Sequence, residues 1–402
     1  MRASDQLFLV ANSVPGDLIS FTPGRKRRGA ARGRLVEVIE GAASRVLPPC
    51  PVAEQCGGCA MQYLHPDIHS EIKSGWVFDA FHPCQHENTV RVPAGPVSQH
   101  GRRRLRWYVG EDGKGCFLGF RAKTAHTVVR HDACMCATPA LDTLRRQLEA
   151  SAVAISLSSF DSVQAVELDD GIHVILEGVP SLDESAIPCH EINGLPLQWW
   201  HRSGEKTVPL SKPVQRFHDV LPAGDEGQIV LQIGPDDFVQ GQVEGNREIV
   251  AQLLRWCEGA GFVVDLFSGT GNLSLPVASA LAARVAGAEL SQASVRAANA
   301  NAGRLGVDAS YLEANLFERF SIEPFAGADV LILDPPRRGA KNVCSMMGSL
   351  LPAKIIMVNC DAASGGRDGR ILQSLGYRLH TLRALDLFPY TGHVEAMSLW
   401  VR

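Results

Sequence analysis

The last third of the chain alternates short apolar runs with stretches whose apolar residues recur at helical spacing. Residues 262–267 form a run suited to a buried strand, 273–281 read as a helix, 283–289 as a strand and 291–305 as a helix. Further strands are predicted at 330–333, 354–359 and 377–387, and a final one at 396–401. Alternation at this spacing implies parallel βαβ units and an open, doubly wound α/β sheet. Ligands in such sheets sit at the carboxyl ends of the strands.

Upstream the pattern differs. Residues 7–10, 17–21 and 34–39 read as short strands, separated by the turn signals Pro15-Gly16 and Pro23-Gly24. A small β unit of this kind suits an OB-like barrel. Residues 104–109, 116–121, 165–168 and 173–176 read as more strands. A helix from about 139 to 151 interrupts them, with Leu141, Leu144 and Leu148 on one face. A helix at 246–258 leads into the α/β part. Three domains are expected: 1–48 OB-like, 49–235 mainly β, and 236–402 α/β and Rossmann-like.

Composition narrows the class. The chain has 402 residues, 45% hydrophobic and 20% charged, which is ordinary for a soluble protein. No apolar run approaches the roughly 20 residues that cross a bilayer. No signal-peptide pattern opens the chain, so a cytoplasmic protein with no membrane partner is expected. The net charge of −4 excludes a uniformly basic chain. Local charge differs: residues 1–48 hold eight Lys/Arg against four Asp/Glu, including Arg25, Lys26, Arg27 and Arg28. A second run, Arg102, Arg103, Arg104 and Arg106, stands beside Trp107 and Tyr108. Either run can be solvated surface; together they favour phosphate contact.

The strongest local signal is the stretch from Val263 to Asn272, VVDLFSGTGN. A strand leads through Asp265 and Phe267 into a turn where Gly269 and Gly271 let the backbone approach a ligand. A dehydrogenase loop would carry a third glycine and cradle pyrophosphate. Here Leu273 and Ser274 follow, and Asp265 suits a cationic ligand such as a sulfonium amino acid. Glu289 ends the next strand, where a carboxylate accepts ribose hydroxyls. Asn315, near the third strand, either meets an adenine or serves as a turn residue.

Asp334, Pro335 and Pro336 follow the apolar strand 330–333 and place a carboxylate and rigid prolines in the expected cleft. Cys360 ends the next strand, and a small-residue, glycine-containing loop is expected at 361–368. Glu395 opens the last strand. Eleven cysteines are many for a reducing compartment, and Cys50, Cys56 and Cys59 are spaced as soft metal ligands for zinc or iron–sulfur.

These motifs in order, DLFSGTGNLSLPVA, LDPPRRG, the strand ending in Cys360 and DLFPYTGHVEAMSLW, resemble the RNA uracil-5-methyltransferase family, the RumA/TrmA-like enzymes. The resemblance covers essentially the whole chain. It implies a Rossmann-like S-adenosylmethionine-dependent methyltransferase domain behind a TRAM-type unit and a mainly β domain. It implies Cys360 as nucleophile towards uracil C6, activated as a thiolate of lowered pKa, and Glu395 as the base that removes the C5 proton. S-Adenosylmethionine would meet Gln240, Asp265, Phe267, Gly269, Gly271, Glu289, Asn315 and Asp334, with Asn246 near the same site. Cys50, Cys56, Cys59 and Cys134 would hold a [4Fe-4S] cluster, with Cys136 a rival for the fourth place. The family context around the nucleophile carries a proline that Asn359-Cys360-Asp361-Ala362 lacks. The substrate implied is 23S rRNA, with transfer RNA the runner-up, and a monomer is expected. A nicotinamide oxidoreductase and a non-catalytic RNA-binding assembly factor are the readings from other classes.

Overall fold

The computed structural model describes residues 2–3, 6–27, 30–95, 100–123, 126–152, 155–178, 184–225 and 227–402. Arg28 of the first basic run lies outside them.

The alternating pattern of the last third folds as one sheet. Its strand order is Ala309–Glu313, Arg284–Glu289, Phe262–Leu266, Val330–Leu333, Lys354–Asn359, Glu395–Val401, Arg378–Leu385 and Val90–Val92. The first five run parallel, and Glu395–Val401 inserts antiparallel between Lys354–Asn359 and Arg378–Leu385. Successive residues in each strand point to opposite faces. Val263, Ile332, Ile356 and Val358 join one core, while Val264, Leu331, Leu333 and Met357 join the other. The central strands are therefore buried on both faces, which is why they are mainly apolar, while the edge strand Ala309–Glu313 is largely exposed.

The edge strand Val90–Val92 belongs by sequence position to the expected central domain, yet it pairs with Arg378–Leu385. The preceding helix, His69–Phe81, likewise packs on this domain. No apolar stripe announces that helix, because its buried side carries His69, Lys73 and Ser74 beside Val77 and Phe81. The boundary expected near 235 is thus crossed in the other direction.

The segment after Cys360 is not the expected loop. It is the helix Ala362–Ser374, whose Asp361 side chain accepts from Ser364 N–H at 2.7 Å as an N-cap. Its glycines serve close packing. A Cβ at Gly366 would lie 2.1 Å from the Ala80 carbonyl oxygen, and one at Gly369 would lie 2.6 Å from the Trp400 ring. Helix propensity is sacrificed so that His69–Phe81 can approach.

The mainly β region forms a second sheet around Arg104–Asp112, Phe160–Leu168, Gly171–Gly178 and Leu195–Ser203, with Pro139–Ala150 as its helix. Val166, Ile175 and Phe217 of this region share one core with Val263 and Met397 of the catalytic sheet. Shared burial joins the two layers without a polar gap. The N-terminal residues form a four-stranded sheet, with Gln6–Val10 and Leu18–Arg27 flanking Ala30–Glu40. Among the described residues no helix is long and apolar enough to cross a membrane.

One ion pair fixes the loop before the last strand. Lys73 Nζ, fully buried, donates to Asp386 Oδ1 at 2.6 Å and to the Phe388 carbonyl at 2.8 Å. Removing one partner of such a pair strands a buried charge, at a cost of about 3–5 kcal/mol. Lys73→Ala should therefore lower the thermal midpoint by several degrees in calorimetry. An unchanged midpoint would show that the pair contributes nothing net.

Candidate active site

Strand register brings the predicted residues to one edge. Asn359 pairs with Ala396, so Cys360 and Glu395 follow side by side on neighbouring strands. Leu266 pairs with both Ala288 and Leu333, which sets Phe267, Glu289 and Asp334 at the same end. There they wall a cavity of about 660 Å³ together with Gln240, Asp265, Gly269, Thr270, Asn272 and Phe388.

Each acid is held differently. Asp265 accepts from Ser274 Oγ at 2.5 Å, and that hydroxyl meets Tyr311 Oη at 2.9 Å. Its other oxygen, Oδ1, is buried without a protein partner, as is Ser268 Oγ beside it. Burial pushes the Asp265 carboxyl up to about 7. Glu289 is anchored by backbone: Gly269 N–H donates to Oε2 at 3.2 Å and Ser291 N–H to Oε1 at 2.9 Å. Asp334 is pushed well above the usual carboxylate range by desolvation, then by Glu395 and Asp265. Glu395 is 3% exposed, and burial pushes it up to about 7 against the pull of Arg337. Acids crowded in a buried cavity favour a cationic guest.

The turn needs its glycines. Gly269 and Gly271 have φ of +54° and +87°, and Phe267 takes +71°. A Cβ at Gly271 would lie 2.6 Å from Leu275 Cδ1. A positive φ in a residue as bulky as Phe267 is costly, and such residues cluster at ligand sites.

Four expectations change. The Cys360 thiol is not lowered: burial pushes it up to about 11, and Glu395 and Asp334 add to this, while Arg337 opposes them. Without a cationic guest the site disfavours a thiolate. Asn315 does not line the cavity; its Oδ1 accepts from Phe317 N–H at 3.1 Å, making it the turn residue, and the Phe317 ring takes the wall position. Asn246 also stands behind the wall, exchanging amide hydrogen bonds of 2.9 Å with Asn272. Gly271 shapes the turn and is not itself a lining residue.

Several wall residues carry weaker signals in sequence. His393 lies 3.2 Å from Arg337 Nη2 and edge-on to Phe388. Both belong to the motif that ends in Glu395. The second basic run also behaves differently from a phosphate patch. Arg102 and Arg104 line the cavity, and Arg103 is wholly buried.

A separate cavity of about 240 Å³ is lined by Cys50, Cys56, Cys59, Cys134 and Cys136, and it shares the Arg102 wall with the larger one. Cys59 Sγ lies 3.6 Å from Cys136 Sγ. Gly57 N–H bonds the Arg121 carbonyl at 2.9 Å and docks the cysteine loop on the central sheet. Among the described residues no three such side chains converge closely enough for a single metal ion.

No protein-family model matches the chain. It is 32% identical to the 23S rRNA (uracil(1939)-C(5))-methyltransferase RlmD of Alkalilimnicola ehrlichii, covering 99% of this chain and 92% of that protein. The protein of the same description from Shewanella sp. (strain MR-7) is 30% identical over 98% of this chain and 91% of its own length. Among solved structures, the Pyrococcus abyssi tRNA (uracil-54, C5)-methyltransferase in complex with S-adenosyl-L-homocysteine matches with a TM-score of 0.76. The identity is 20%, covering 98% of this chain and 95% of that one, and it shows a common fold. With relatives this similar over its full length, the chain belongs to the RNA uracil-5-methyltransferase family and is an S-adenosylmethionine-dependent enzyme.

Proposed function

We propose that the chain methylates C5 of a uracil in 23S rRNA, with Cys360 as nucleophile and Glu395 as base. The observation that carries this reading is their adjacency across two strands at a cavity walled by Asp265, Glu289 and Asp334. Asp265 Oδ1 and Ser268 Oγ, buried and unpartnered, fit a ligand with donors and positive charge. S-Adenosylmethionine supplies such a charge and an electrophilic methyl group when bound. Gln240, Phe267, Gly269 and Glu289 would hold it.

The residues divide the work. C5 of uracil is too weak a nucleophile on its own. Cys360 releases its thiol proton to solvent, the thiolate forms a bond to C6, and the electron pair of the C5–C6 double bond moves into the ring as an enolate, which makes C5 nucleophilic. After methylation C5 still carries its proton. Glu395 takes that proton, the C–H pair restores the C5–C6 double bond, and the thiolate leaves. A stacked base cannot offer both C5 and its face, so the uracil is flipped into the cavity. The raised thiol ties nucleophile activation to occupancy: positive charge in the cavity offsets the carboxylates that hold the proton on Cys360.

The cysteine cavity suits a [4Fe-4S] cluster held by Cys50, Cys56, Cys59 and Cys134, with Cys136 as the competing thiol. Thiols gathered around one space are the donor type that an iron–sulfur cluster takes. Its part is structural, since methyl transfer moves no electron out of the site.

Two results are expected. Tritium release from RNA labelled at uracil C5, followed in single turnover, should fall about tenfold per pH unit as pH drops below about 7, because Glu395 becomes protonated there. A rate independent of pH between 5.5 and 8, or no 5-methyluridine in digested 23S rRNA, would contradict the assignment. Protein purified without oxygen should carry iron and acid-labile sulfide and lose both in Cys56→Ser. Colourless, iron-free protein would remove the cluster.

A further inference from the structure

Arg103 stands where the central sheet meets the catalytic loop, and it is fully buried. Nη1 and Nη2 donate to the two oxygens of Asp219 at 2.7 and 2.9 Å. Asp219 is itself buried. A third side-chain donor, Nε, reaches the Gln240 carbonyl at 2.9 Å, and the Arg103 backbone N–H reaches the Gly241 carbonyl at 3.0 Å. On the other side, the Arg103 carbonyl accepts from Glu167 N–H at 2.8 Å. One residue earlier, Arg102 N–H donates to the Cys136 carbonyl at 2.9 Å. Two consecutive residues thus tie the cysteine loop, the central sheet and the loop bearing Gln240.

We propose that Arg103 is a positioning residue for methyl transfer: locked on Asp219, its guanidinium fixes the backbone at Gln240 and so aims that side chain into the cavity. The fork geometry explains the residue type. A planar guanidinium presents a bidentate face to Asp219 and a third donor to the carbonyl at once, which an ammonium cannot do. Arg104 reinforces the same loop, donating from Nη1 to the Asp237 carbonyl at 3.1 Å. Neither arginine therefore acts here as a simple phosphate contact.

The proposal rests on Gln240 serving the methyl-transfer site, so its test is a double-mutant cycle. Arg103→Lys, Gln240→Ala and the double variant are compared with the unaltered protein. The readouts are kcat/KM for RNA methylation and the dissociation constant of S-adenosylhomocysteine by calorimetry. Arg103→Lys should lower kcat/KM about tenfold, as expected for a misplaced site group. The same change in the Gln240→Ala background should cost less than about twofold, because the side chain it positions is gone. Equal losses in both backgrounds, or no loss in either, overturn the proposal. Asp219→Asn gives a second route if Arg103→Lys does not fold, and failure of both to fold also overturns it by assigning the pair to the fold alone. If the unaltered protein binds S-adenosylhomocysteine yet methylates no RNA, the proposed function fails, while the binding cycle still decides the role of Arg103.

Discussion

A carboxylate taken out of water without a partner is expensive, and this catalytic cavity gathers several around one space. Asp265, Asp334 and Glu395 are all raised by burial before any neighbour is considered. The fold tolerates this because the rest of the site is rigid and well bonded. Glu289 is held by two backbone N–H groups, and Asp265 by the Ser274 hydroxyl, which Tyr311 holds in turn. Among the described residues Asp265 Oδ1 is left without a partner, and Asp265 lines the cavity. The same field holds the proton on Cys360. Ligand charge, carboxylate ionisation and thiol reactivity are thereby linked through one cavity.

The scaffold serves that cavity from several directions. Parallel register aligns the strand ends that carry Phe267, Glu289, Asp334 and Cys360. The antiparallel insertion of Glu395–Val401 then sets Glu395 beside Cys360, although 35 residues separate them in sequence (395 − 360). The Lys73–Asp386 pair holds the loop before that strand. Met61 N–H also reaches the Tyr390 carbonyl at 2.8 Å, so the segment after Cys59 touches the loop before Glu395 directly.

Much of this was legible in the chain. Apolar runs located four of the five parallel strands, and the motif order located many of the wall residues; the edge strand Ala309–Glu313, mostly exposed, carries no such run. What was hidden depended on contacts between distant segments. The glycines after Cys360 read as a loop because helix propensity is local, whereas their reason, the approach of Ala80 and Trp400, is not. The helix His69–Phe81 hid because its buried face is polar. Asn315 was balanced between two uses, and its Oδ1 accepts from the Phe317 N–H, a bond that only the fold reveals. The thiol shift ran opposite to expectation, since a motif shows which acids are present and not how closely burial crowds them. The arginine run showed charge, and the burial of one member, Arg103, against Asp219 depended on a strand more than a hundred residues away.

The most direct measurement of the central claim is covalent trapping. Glu395→Gln keeps the shape of the base and removes its capacity to take the C5 proton. With S-adenosylmethionine and 23S rRNA, this variant should accumulate a protein–RNA species stable on a denaturing gel, and the added Cys360→Ala change should abolish it. Contradiction would come from an adduct that survives Cys360→Ala, or from none under conditions where the unaltered enzyme methylates.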